Sequence, residues 1–140
     1  MEYITKLVKD LTEKFETTDP FKIASELGIA VFFEDLGTTL GYYNSHFRIK
    51  IIHINENINE YSKEFVCAHE LGHAILHPDA NTPFLKKQTL FSNEKIELEA
   101  NFWAMSLLFL SVNECVTKEE AIEQYGIPME LLTSHAHKIF

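Results

Sequence analysis

His69, Glu70 and His73 stand within the run Cys67-Ala68-His69-Glu70-Leu71-Gly72-His73-Ala74-Ile75-Leu76-His77. Histidines four residues apart fall on one face of an α-helix, one turn from each other. Two neutral imidazoles so placed can bind one Zn²⁺. Glu70 lies at the edge of that face, where it can reach a water on the metal without being a ligand. Two ligands, a general base and an open coordination position are what a zinc hydrolase requires. His69 and His73 are therefore candidate ligands. Glu70 is the candidate base, taking the water's proton and later giving it to the leaving amine.

A zinc site expects a third protein ligand. A helix rises about 12 Å over eight residues, so one ion cannot easily reach both His69 and His77. His77 reads as a cation near the helix C-terminal dipole. A third histidine ten residues after the first would fall at Asp79, an acid. Glu97 and Glu99 remain, on the next long helix and two residues apart, so only one can face the metal. Glu97 is preferred because Asn101 follows it one turn later, able to accept the distal N–H of a ligand histidine. Glu99 is the alternative. For oxyanion stabilisation His77, Tyr125, His135 and His137 are candidates.

These residues need elements to hold them. Ile4, Leu7, Val8, Leu11 and Phe15 recur at helical spacing over the first fifteen or so residues. Asp19 and Pro20 form a helix start, with Gly28 at its close. Ile29 to Phe33, Leu40 to Tyr43 and Phe47 to Ile54 read as strands, with Asp35-Leu36-Gly37 and Asn44-Ser45 as turns. In the third strand the apolar parity changes at Ile51-Ile52, which suggests a bulge or burial on both faces. Glu60 to His77 is the motif helix, stopped by Pro78. Gly72 costs about 1 kcal/mol against alanine within a helix, which points to close approach of another element. Asp79 to Phe91 is a long irregular stretch that reads equally as a rim to the site or as a mobile surface loop. Ser92 or Asn93 caps a helix from about Glu94 to Leu110. Helices from Thr117 to Tyr125 and from Pro128 to about Lys138 complete the chain.

The fold class expected is α+β: a small antiparallel three-stranded sheet packed on the motif helix, with further helices around it. No repeat or composition break marks a second domain, so residues 1–140 read as one domain. The net charge of -9 argues against a general polyanion binder and favours a basic partner by steering. Cys67 and Cys115 form no metal-like pair, and reduced thiols fit a cytoplasmic protein. Cys67 should face away from the metal and pack. No secretory leader or bilayer-spanning run is visible.

The tandem of Cys67 to His77 with Glu97-Leu98-Glu99-Ala100-Asn101-Phe102-Trp103-Ala104 and Leu107-Leu108 resembles the ImmA/IrrE family of His-Glu-x-x-His metallopeptidases. Trp103 stands where the family usually has phenylalanine. The proline that often follows the Leu-Leu pair is replaced by Phe109-Leu110. The resemblance implies a zincin-like domain with His69, His73 and Glu97 at the metal positions, a gluzincin-like set, and Glu70 at the catalytic one. It implies an intracellular zinc endopeptidase, often encoded by phages or mobile elements beside a helix-turn-helix repressor, which it cleaves or inactivates. A metal-bound module that sequesters the repressor without cutting it is the alternative. Direct DNA binding has little support in charge or motif, since no basic recognition helix follows Pro20 to Val31, and no membrane partner is expected.

Overall fold

The structure is a computed structural model and describes residues 2–80 and 94–110. In chain order the elements are α1 (Glu2–Phe15), α2 (Pro20–Glu26), β1 (Ala30–Glu34), β2 (Gly41–His46), β3 (Ile49–Asn55), α3 (Glu60–Leu76) and α4 (Lys95–Leu110). The arrangement is α+β. The expected segment beyond Ala80, the caps Ser92 and Asn93, Cys115, and the helices expected after Leu110 lie outside the described residues.

The apolar face of α1 buries Ile4 and Val8, with Leu7, Leu11 and Phe15 packed at the margin of the core. Asp19 caps α2 by accepting a hydrogen bond from the Phe21 N–H at 3.0 Å, and Pro20 occupies the first turn. Gly28 follows with φ +73°, a left-handed position that glycine adopts without strain.

The sheet is mixed, which corrects the antiparallel expectation. Its order is β1-β3-β2, with β3 antiparallel to β2 but parallel to β1. Asn55, buried at the end of β3, fastens the crossing connection. Its side-chain amide donates to the carbonyls of Gly37 and Thr39, each at 2.9 Å. Its backbone N–H donates to Leu40 O at 2.9 Å. These bonds hold the connection from β1 to β2 across the end of β3, so β2 lands on the far side. Because β3 is central, both of its edges are paired, and any addition of an extended peptide would fall to β1 or β2.

The hairpin turn also differs from expectation. Asn44 and Ser45 are strand residues, opposite Ile51 and Lys50, and the chain reverses at Phe47 and Arg48. Both turn residues have positive φ, 50° and 68°. That turn geometry matches strand twist but favours Asn-Gly over bulky residues. The left-handed conformation costs roughly 1–2 kcal/mol per residue. The register offsets it by placing Tyr43 opposite Ile52, both fully buried. Burial of one such aliphatic side chain contributes about 1.5–3 kcal/mol. Pairing runs unbroken from Ile49 to Asn55, so no bulge accompanies the parity change. Ile52 and Ile54 face the core, and Ile51 is half-buried on the opposite side.

The sheet grips the C-terminal end of α3. Tyr43 donates its hydroxyl proton to Pro78 O at 2.7 Å, and Lys50 Nζ donates to Ala74 O at 3.2 Å. Ala74 O is one of the carbonyls that the helix end leaves without an intrahelical partner, and Pro78 O belongs to the segment just after the helix. At the other end, Asn59 caps α3 by accepting from the Ser62 N–H at 2.8 Å. From Phe65 to Ala74 every residue of α3 is buried. α4 packs along it, and a Cβ on Gly72 would lie 3.0–3.1 Å from Trp103 side-chain atoms. The close approach expected at Gly72 is therefore that of α4.

Candidate metal centre

Three polar side chains of α3 and three of α4 are buried between the two helices. His69, Glu70 and His73 come from α3; Glu97, Glu99 and Asn101 come from α4. The helical period places His69 and His73 side by side, ring centroids 4.9 Å apart and nearly perpendicular. His69, Glu70 and His73 each bring one ligand-type atom within 4.8 Å of the others.

The rotation of α4 separates its two acids. Glu97 Oε1 lies 3.1 Å from His69 Nε2 and 2.8 Å from His73 Nε2. Glu99 instead meets His77 Nε2 through Oε1 at 3.0 Å and accepts a hydrogen bond from the Tyr3 hydroxyl through Oε2. Of the two candidates that the sequence left open, Glu97 is the one brought against both histidines. Asn101 Oδ1 lies 2.8 Å from His69 Nδ1, as its spacing from Glu97 suggested. His77 is the C-cap of α3, and its Nδ1 is 3.1 Å from His73 Nδ1. Cys67 is a buried free thiol, as expected. Tyr125, His135 and His137 lie outside the described residues.

Environment drives the two site carboxyls apart. Burial pushes the Glu70 carboxyl up to about 8; His73 opposes the rise in part, and the Glu97 charge adds to it. Burial also acts to raise Glu97, but hydrogen bonds from His69 and His73, with their charges, outweigh it and hold the group at about 2. Glu97 is thus an ionised acceptor, the state a ligand requires, while Glu70 is poised to carry a proton. A cation among these groups would favour ionised Glu70 as well.

The donor set suits a metal of the zinc type. Two imidazole nitrogens and one carboxylate oxygen are the protein ligands of a catalytic zinc. Ligand atoms of a tetrahedral zinc lie about 3.3 Å apart, given its usual bond lengths, close to the 2.8 and 3.1 Å between Glu97 and the histidines. Both Glu70 oxygens and Glu97 Oε2 are buried with no hydrogen-bond partner among the described residues. Unpaired carboxylate oxygens this deep are costly unless something positive or protic meets them. The outer nitrogens of both histidines are already held, which leaves each Nε2 directed at the shared point.

A His-Glu-x-x-His helix crossed by a second helix that delivers a glutamate defines a metallopeptidase-like domain. Residues 24–111 match the IrrE N-terminal-like domain family, and the chain belongs to it. The chain is 42% identical over 135 residues to uncharacterized immunity region protein 2 of Bacillus phage phi105, covering 91% of this chain and 85% of that protein. It is 28% identical over 131 residues to metallopeptidase ImmA of Bacillus subtilis (strain 168), covering 86% and 76%. Among the described residues no helix is long and apolar enough to cross a membrane.

Sequence reasoning missed the pairing of His77 with His73. The signal was present: His77 repeats the four-residue spacing once more, and the same spacing that makes two ligands neighbours makes a ligand and its support neighbours.

Proposed function

We propose that this chain is an intracellular zinc-dependent endopeptidase that inactivates a helix-turn-helix transcriptional repressor by cutting it. The observation that carries the proposal is Glu97 Oε1 set between the Nε2 atoms of His69 and His73, beside the buried carboxyl of Glu70. His69, His73 and Glu97 would hold the metal. When bound, it would polarise the scissile carbonyl and lower the pKa of water toward about 7. Glu70 takes a proton from the attacking water and passes it to the leaving amine. Its unpartnered oxygens leave it free to make that transfer, and the apolar packing around α3 limits access of bulk water.

The repressor as substrate draws support from the relatives, one named for a phage immunity region and one as the metallopeptidase ImmA. Sequestration without cutting is the second reading, because metal ligands alone would build the same site. The two separate in a cleavage assay with zinc-loaded protein and a candidate helix-turn-helix repressor, read by intact-mass spectrometry. Discrete fragments from wild type and none from Glu70→Gln support the peptidase. Stable binding by both proteins with no fragment from either would favour sequestration.

A further inference from the structure

We infer that His77, Glu99 and Tyr3 form a positioning relay that fixes His73 as a metal ligand and ties the site to helix α1. The inference rests on the reading of His73 as a ligand through Nε2. His73 Nδ1, on the other side of the ring, lies 3.1 Å from His77 Nδ1. His77 Nε2 lies 3.0 Å from Glu99 Oε1. Glu99 Oε2 accepts from the Tyr3 hydroxyl.

One requirement sets the direction of every bond in this chain. To offer Nε2 to a cation, neutral His73 must carry its proton on Nδ1. That proton can only be donated to His77 Nδ1, which must then present a lone pair. His77 consequently carries its proton on Nε2 and donates to Glu99. An ionised carboxylate is acceptor-only, so it completes the sequence, and Tyr3 supplies a second donor to it. The relay thus selects the ligand tautomer of His73. Asn101 does the same for His69 with a single amide oxygen.

The three helices each contribute one member: Tyr3 from α1, His77 from the end of α3, Glu99 from α4. The path runs from the buried site to the surface, since the side chains of His77 and Glu99 are 11% and 9% exposed while Tyr3 is 52% exposed. His73 is therefore held by a bond network that closes only when α1 is docked on α4. A bond network that merely fastened α1 would not alter the metal's electronic environment, and this separates the two roles.

The test is zinc affinity, measured against a chromophoric chelator, with the d–d absorption of the Co²⁺-loaded protein as the signature. His77→Leu should bind zinc about 10–100-fold more weakly and shift the Co²⁺ bands. His77→Asn restores an acceptor of the kind that Asn101 offers His69, and should recover affinity to within roughly threefold of wild type. Tyr3→Phe should weaken zinc about two- to fivefold in the wild-type background, and not at all once His77 is leucine. Wild-type affinity and spectrum in His77→Leu would overturn the relay, as would His77→Asn binding no better than His77→Leu. Should His77→Leu not fold, the exposed Tyr3→Phe decides, and an unchanged spectrum and affinity overturns the relay. Wild type that binds no zinc would instead overturn the ligand reading itself.

Discussion

The two histidines of α3 are held in different ways. His69 is enclosed: its outer nitrogen meets Asn101 on α4, one turn from Glu97, and all three are buried. His73 is one turn nearer the end of α3, and its outer nitrogen meets a second imidazole whose own support comes from Glu99 and Tyr3. The His69 side depends on one helix pair. The His73 side depends on three helices and on the sheet, since Tyr43 and Lys50 fasten the end of α3. A neutral amide on a packed helix has few ways to move. A chain of ionisable groups reaching the surface has many, so disturbance from outside should enter the site through His73.

Substitutions can test this contrast, beginning with those common to both sides. Glu97→Ala removes the oxygen that both Nε2 atoms share, and should abolish stoichiometric zinc binding, measured by metal analysis after gel filtration; Glu99→Ala should retain it with reduced affinity. Chelation should lower the melting temperature of the wild type. Binding at a free zinc concentration one hundred times Kd adds about 2.7 kcal/mol, and roughly 3–4 °C accompanies each kcal/mol for a chain of this size. A shift of about 10 °C between zinc-loaded and chelated protein is expected, and Glu97→Ala should show none.

Asn101→Leu should weaken zinc about 10–100-fold and also destabilise the chelated protein by about 1–3 kcal/mol, because it leaves a buried imidazole N–H without an acceptor. Tyr3→Phe, at the exposed end of the other side, should leave the chelated protein within about 1 kcal/mol of wild type. If the two substitutions had equal effects in thermal melts of chelated protein, the contrast between the sides would be lost. Gly72→Ala acts between the helices. Alanine's helix preference favours it by about 1 kcal/mol, but the new methyl meets a Trp103 whose Cβ lies 3.1 Å away and whose ring is buried. α4 must move, so a net loss of about 1 kcal/mol in chemical denaturation is expected, together with weaker zinc binding. The smallest effect lies at the hairpin. Replacing Phe47-Arg48 by Asn-Gly relieves two positive-φ positions and should stabilise by about 1 kcal/mol without touching zinc affinity.

The same contrast explains what could be read in advance. His69, Glu70 and His73 were legible because helical period alone makes them neighbours. Asn101 was legible for the same reason once Glu97 was preferred. The spacing of Asn101 favours Glu97 over Glu99, but the choice is decided by how α4 is rotated against α3, where Trp103 packs on Gly72. His77 reads from the sequence as a helix-end cation or an oxyanion donor, and neither role points to its contact with His73. In the sheet, strand positions followed from β-branched and aromatic runs, but the turn at Asn44-Ser45 was inferred from local preference. The burial of Tyr43 against Ile52 overrode that preference. The parallel pairing of β1 and β3 requires the β1–β2 connection to cross the end of β3, where Asn55 holds Gly37 and Thr39 through contacts that carry no local signature.

His69, His73 and Glu97 are proposed to hold one zinc with Glu70 beside it. Anomalous diffraction at the zinc edge from crystals of the zinc-loaded protein tests this assignment most directly. A single strong peak is expected between α3 and α4, about 2.0–2.2 Å from His69 Nε2, His73 Nε2 and a Glu97 oxygen, with Glu70 outside bonding distance. A peak bonded to His77 and Glu99, or to Glu70 in place of Glu97, would contradict it.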